Sequence, residues 1–193
     1  MSELAGLLAD IAACRECEAS LPCGPRPVLR AEAGSRILLA GQAPGRKVHE
    51  SGIPWDDASG KRLREWLGVG ADVFYDPERF AIVPMGFCYP GTGRNGDLPP
   101  RPECSRLWHP RLLPLLGRVE LVLAVGNYAQ AYHLAARKRT LTETVAAWRE
   151  YYPNMIPLPH PSPRNQMWLA RNGWFETELL PVLKRRVAEV LAR

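Results

Sequence analysis

The chain has no apolar run long enough to cross a bilayer, and its N-terminus lacks a basic stretch leading into an apolar core. These absences argue against a helical membrane protein and a secretory leader, so a cytoplasmic location and no membrane partner are expected. Internal repeats and linkers are also missing, which leaves one domain over residues 1–193, with room for one sizeable core. No Gly-Lys-Ser/Thr loop and no acidic metal cluster occurs, which argues against a nucleotide hydrolase. Cysteine is scarce and its count, five, is odd, which does not suit a disulfide framework in the cytosol.

What the chain does have is ordinary in bulk and unusual in two respects. Apolar residues make up 46% and charged residues 23%, the balance of a folded globular protein and not of a disordered one. The net charge of +5 suits a polyanionic partner. Proline is abundant, with 19 residues placed mainly between the periodic segments, where it holds loops still.

Four apolar runs read as buried strands: residues 36–41, 80–85, 120–126 and 155–160. Helical spacing is found over 2–13, with Leu4, Leu7, Leu8 and Ile11 on one face, and over 59–67, with Lys61, Arg62 and Arg64 outward. Further helices are expected at 103–116 apart from Pro110 and Pro114, at 127–134, at 142–150 and at 176–191. Residues 21–34 and 86–102 read as loops. Alternating strands and helices predict an α/β fold, a three-layer α/β/α sandwich around a mainly parallel four-stranded sheet. Ligands of such sheets bind beyond the carboxyl ends of the strands. Those ends carry Gly41-Gln42-Ala43-Pro44-Gly45, Met85-Gly86-Phe87, Gly126-Asn127 and His160.

The last of these loops, His160-Pro161-Ser162-Pro163-Arg164-Asn165, is pinned by prolines that fix φ and remove donors. It holds one imidazole and a small polar wedge whose Arg and Asn suit phosphates and base edges. The plain alternative is a proline-rich turn whose histidine bonds a neighbouring carbonyl. Cys14 and Cys17 share one short turn, while Cys88 and Cys104 end a Gly- and Pro-rich loop. Four thiolates suit zinc or an iron–sulfur cluster, and buried thiols without metal remain the alternative.

Taken together, the loops resemble the uracil-DNA glycosylase superfamily over about residues 14–190. Gly41-Gln42-Ala43-Pro44-Gly45 is similar to its first motif. His160-Pro161-Ser162-Pro163-Arg164-Asn165 is similar to the motif of its single-strand-selective branch, with Gly173-Trp174 downstream. The stretch Gly52 to Gly60 and the arrangement of Cys14, Cys17, Cys88 and Cys104 resemble the iron–sulfur branch. The resemblance implies a monofunctional DNA glycosylase that flips uracil or a related deaminated base from single- or double-stranded DNA, acting as a monomer. The alternative is a damaged-DNA-binding member without turnover.

By resemblance, His160 donates to the departing base, Trp55 stacks on it, and Ser162, Pro163, Arg164 and Asn165 fill the vacated stack. Core packing is the plain alternative for Trp55. The cysteines would hold a structural 4Fe-4S cluster, or zinc. Ala43 stands where the most active branch has a water-activating Asp. The catalytic candidates left near the pocket are Gln42, which can orient water but is no base, and Asp56 and Asp57, for which capping of the following helix is the plain alternative. The family's base-reading Asn is replaced by Pro84-Met85-Gly86. Base contacts then fall to Ala43, to Met85 and the backbone around Gly86 and Phe87, or to Asn95. Gly45, Arg46 and Asn127 are candidate DNA contacts, with Lys47, Lys61 and Arg64 as further cations. His49-Glu50 reads as a solvated loop pair, and Cys23 fits no position of the family.

Overall fold

The computed structural model describes residues 2–94 and 96–193; Met1 and the candidate base reader Asn95 lie outside the described residues. Helix α1 (Glu3–Ala12) starts at Ser2, whose hydroxyl accepts the Ala5 N–H, and turns Leu4, Leu7 and Ile11 inward. Strand β1 (Ile37–Ala40) runs into the first motif, which leads directly into α2 (Arg46–Ser51). Helix α3 (Ala58–Leu67) and the single turn α4 (Ala71–Phe74) precede strand β2 (Phe80–Ile82). A small antiparallel hairpin follows, β3 (Thr92–Gly93) with β4 (Gly96–Asp97). The expected helix at 103–116 is divided at Trp108 into α5 (Pro102–Leu107) and α6 (His109–Leu112). Pro102 and Pro110 each stand in a first turn, where the missing N–H has no partner to lose. Strand β5 (Leu121–Val125) passes straight into α7 (Gly126–His133), followed by α8 (Leu141–Ala146) and strand β6 (Met155–Leu158). Helix α9 (Gln166–Arg171) and a wider helical turn lead into α10 (Leu180–Leu191).

The sheet has the order β2-β1-β5-β6, every pair parallel. Strand alternation sorts the residues onto two faces. Ile37, Leu39, Phe80, Ile82, Leu121, Leu123, Ile156 and Leu158 pack against α3 and α10, around Leu63, Trp66, Leu183 and Val187. Leu38, Ala81 and Val122 face α1 and α6, around Leu7, Ile11 and Leu112. Both faces are therefore covered, as the unbroken apolar strands require. The expected three-layer α/β/α sandwich around a mainly parallel four-stranded sheet is the fold observed. Among the described residues no helix is long and apolar enough to cross a membrane.

Candidate active site

The carboxyl ends of β1 and β2 are tied together before any ligand is considered. Gly41 and Gln42 offer their carbonyls to the N–H groups of Met85 and Gly86, at 3.0 and 2.9 Å. The motif turn that follows lines a cavity of about 370 Å³. Gly41, Gln42, Ala43, Pro44 and Gly45 form its floor. Trp55 and Asp57, Pro84, His160, and Ser162 with Arg164 line it from separate parts of the chain.

Trp55 is held by its backbone. It adopts φ +57°, a left-handed conformation that bulky residues rarely take. Its carbonyl lies so close over Gly60 that a Cβ there would stand 1.8 Å from the oxygen. Tyr75 Oη donates to that same carbonyl at 3.4 Å, and Arg64 donates to Tyr75 Oη at 3.2 Å. The indole then reaches across Gly41, where a Cβ would meet it at 2.9 Å. It faces the His160 ring with centroids 5.6 Å apart.

His160 follows β6, and its loop is braced from inside. Asn165 Nδ2 donates to the His160 carbonyl at 2.7 Å, and Arg62 donates to the Ser162 carbonyl at 3.1 Å. Ser162 Oγ accepts the Arg164 N–H at 3.2 Å; Pro163 and Arg164 are exposed, and Arg164 lines the cavity. Burial pushes the imidazole below the ordinary histidine range, and the carboxylates of Asp57 and Asp97 draw it partly back.

The model of the uracil DNA glycosylase superfamily matches residues 30–184. The chain belongs to that superfamily. Its fold is uracil-DNA glycosylase-like, and the superfamily acts on DNA, which supports a function of the DNA glycosylase type. The cavity lies where that fold class places its ligands, beyond the strand ends.

Several residues singled out from the sequence are elsewhere. Asp56 is not among the residues of the cavity wall, whereas Asp57 is, although its Oδ1 also caps α3 through the Gly60 N–H at 2.8 Å. The backbone N–H groups of Met85, Gly86 and Phe87 are already engaged and are not free donors to a base. The first two N–H groups serve Gly41 and Gln42, and the third donates to Cys104 Sγ at 3.4 Å. Met85 is packed with Ala40, Ala124 and Ala129, and Pro84 takes the place at the wall. Asn127 accepts from Arg137 at 2.9 Å, outside the cavity. Arg64 and Arg62, expected outward, instead brace Tyr75 and the Ser162 loop, because each long side chain finds a carbonyl or hydroxyl within reach. The segment with His49 and Glu50 is helical, with Glu50 paired to Arg46 at 3.0 Å.

The residue that sequence reasoning missed is Asp97, which the β3–β4 hairpin brings into the same cavity. A signal was present in the closely spaced Gly91, Gly93 and Gly96, which mark a turn in the stretch just before Asp97.

Behind the cavity, Cys14, Cys17, Cys88 and Cys104 line one small apolar pocket with Phe87 and Trp108. Cys23 is exposed and apart from it. The Cys104 sulfur accepts the Phe87 backbone N–H at 3.4 Å. Burial raises the thiols of Cys88 and Cys104, that of Cys104 to about 12. Among the described residues no three His, Cys, Asp or Glu side chains come close enough together to hold a single metal ion. The four cysteines share the lining of one pocket.

Proposed function

We propose that the protein is a monofunctional DNA glycosylase that excises uracil or a related deaminated base. The observation that carries this reading is the meeting of His160, Trp55 and the Gly41–Gly45 turn around one cavity, assembled from three distant parts of the chain. A flipped base entering there stacks on the indole and presents an edge to the imidazole. Breaking the glycosidic bond leaves negative charge on the base, and a fixed donor at its oxygen stabilises that charge most in the transition state. Burial favours the neutral imidazole, which still carries one N–H to donate. Unstacking costs a few kcal/mol and is easiest for unpaired or damaged bases. The exposure of Pro163 and Arg164, beside Ser162, supports this loop as the wedge that fills the gap in the stack. Asn165 serves them from behind by holding His160, and Gly45 and Arg46 offer contacts to the DNA backbone. Asn127, bound to Arg137, is left as a phosphate contact only if that pair opens.

Cys14, Cys17, Cys88 and Cys104 would hold a 4Fe-4S cluster. Such a group supplies a covalent cross-link here, fixing the N-terminal turn to the loop that ends in Cys104. What supports thiolate ligation is the arrival of the four cysteines at one pocket, with zinc as the alternative to the cluster.

A damaged-DNA-binding protein without turnover is the second reading, favoured by the methyl group at Ala43 where a base would stand. One assay separates the two. Labelled single- and double-stranded oligonucleotides carrying uracil, hypoxanthine or xanthine are incubated with the protein and then cleaved with alkali at abasic sites. Breaks that disappear in His160→Ala are expected; tight binding without breaks in any substrate would leave only the binder.

A further inference from the structure

The motif turn brings no group to the cavity that can take a proton from water. Ala43 presents a methyl group and Gln42 an amide whose nitrogen is turned toward Gly126. Two carboxylates line the cavity among the described residues, Asp57 and Asp97. Asp57 is partly committed to the first turn of α3. Asp97 is aimed differently. Its Oδ2 lies above the motif turn, 3.3 Å from where a Cβ on Gly45 would stand, a gap tighter than ordinary contact that glycine leaves open. Its Oδ1 accepts from Thr92 Oγ1 at 3.1 Å, and Thr92 Oγ1 lies 2.6 Å from Tyr89 Oη. Since the threonine proton goes to the carboxylate, the tyrosine must donate to the threonine. A directed chain therefore runs from buried Tyr89 out to Asp97 and fixes the orientation of the carboxylate. Next to it Gly96, at φ +122°, passes under Arg164, where a Cβ would stand 2.6 Å from Nη1. The hairpin and the His160 loop thus meet over one opening.

We propose that Asp97, supplied by the hairpin and not by the motif turn, is the general base for the attacking water. This rests on the glycosylase reading. The water oxygen bonds to the anomeric carbon as the carbon–nitrogen bond to the base breaks. The electron pair of that bond leaves with the base, where His160 donates to the oxygen that gathers the charge. One water proton passes to the Asp97 carboxylate, the other stays as the sugar hydroxyl, and Asp97 returns its proton to the departing base anion. The competing explanation is that Asp97 only pairs with Thr92 across the hairpin.

Single-turnover cleavage of a uracil-containing single-stranded oligonucleotide by excess full-length protein tests this. Asp97→Asn keeps an acceptor for Thr92 and loses the base, and the rate is expected to fall about a hundredfold or more. Binding of an uncleavable fluorinated-sugar analogue is expected to stay within a factor of about three, far less than one general base contributes to rate. Asp97→Ala should be equally slow and recover with added formate, which a merely structural role does not allow. Wild-type cleavage with an Asp97→Asn rate near wild type, or a slow Asp97→Ala that formate leaves unchanged, overturns the assignment and leaves the glycosylase reading intact. A wild-type protein that cleaves no substrate overturns both.

Discussion

The indole of Trp55 faces the imidazole of His160 at 5.6 Å, centre to centre, with the ring planes tilted by 33°. An aromatic platform and a hydrogen-bond donor thus share one wall, the arrangement a flipped base needs to be stacked and read along its edge. Base–aromatic stacking contributes about 1–3 kcal/mol per base. Trp55→Ala is therefore expected to weaken binding of an uncleavable uracil oligonucleotide about ten- to a hundredfold, and Trp55→Phe to recover most of it. Fluorescence polarisation at fixed ionic strength measures this, and equal affinity for all three proteins would mean that the indole is only packing.

The platform depends on a residue that touches no ligand. At Gly60 a Cβ would lie 1.8 Å from the Trp55 carbonyl, which neither backbone can easily yield. Gly60→Ala is expected to destabilise by about 1–3 kcal/mol, the usual range for overfilling a packed site. The same change should displace the indole, so activity should fall further than stability alone explains. Urea unfolding and cleavage rates on one preparation separate the two effects.

Asn165 makes a sharper test of what the polar loop does. Its amide is spent on the His160 carbonyl at 2.7 Å, so its first task is to hold the imidazole. Loss of one such bond changes stability by only about 1 kcal/mol. Asn165→Ala should leave the melting temperature nearly unchanged and slow the chemical step about tenfold, because a donor displaced from the oxygen loses much of its transition-state preference. If affinity for intact DNA falls instead and the rate at saturation holds, Asn165 is a DNA contact.

Which parts of this were legible in advance follows a physical division. The four strands were readable because a strand buried on both faces must be apolar throughout, whereas their order in the sheet came only with the structure. His160 and the Gly41–Gly45 turn were readable because proline and glycine mark rigid loops at strand ends. Asp97 was not, since it lies in a Gly-rich stretch that reads as plain loop, with strands of only two residues and no apolar alternation. Arg62 and Arg64 were placed outward on helical spacing alone. That spacing says nothing about a Ser162 carbonyl or a Tyr75 hydroxyl arriving from elsewhere in the fold. The backbone donors at Met85 and Gly86 were likewise invisible until their partners in the motif turn were known.

The cysteine pocket yields an optical prediction. With a cluster bound, the purified protein should be brown and absorb in the blue, and Cys88→Ala should lose both colour and thermal stability. Removing Cys23 should change neither, because it lies exposed and outside the pocket. A colourless protein with stoichiometric zinc would replace the cluster by a mononuclear site.

Acid should loosen the wall of the cavity from behind. His109 is fully buried, stacks on Phe87 with centroids 5.5 Å apart, and its Nε2 lies 3.1 Å from the Pro84 carbonyl, so that nitrogen carries the proton. Its Nδ1 and the Nε2 of nearby His133 are buried without partners. Both groups are lowered to about 4, His109 by burial and His133 by burial together with the neighbouring His109. In the unfolded chain both titrate near 6.5. Between those values the unfolded chain binds protons that the folded chain refuses. Stability is therefore complete above pH 6.5 and falls as the pH drops toward 4. At about 1.4 kcal/mol per pH unit for each proton, the pair should remove on the order of 5 kcal/mol across the window. His109→Gln keeps an N–H for Pro84 and removes one titrating group. Urea midpoints measured from pH 7.5 to 4.5 should then fall with a slope shallower by about one proton. An unchanged slope would mean that these histidines already share their protons with solvent in the folded state.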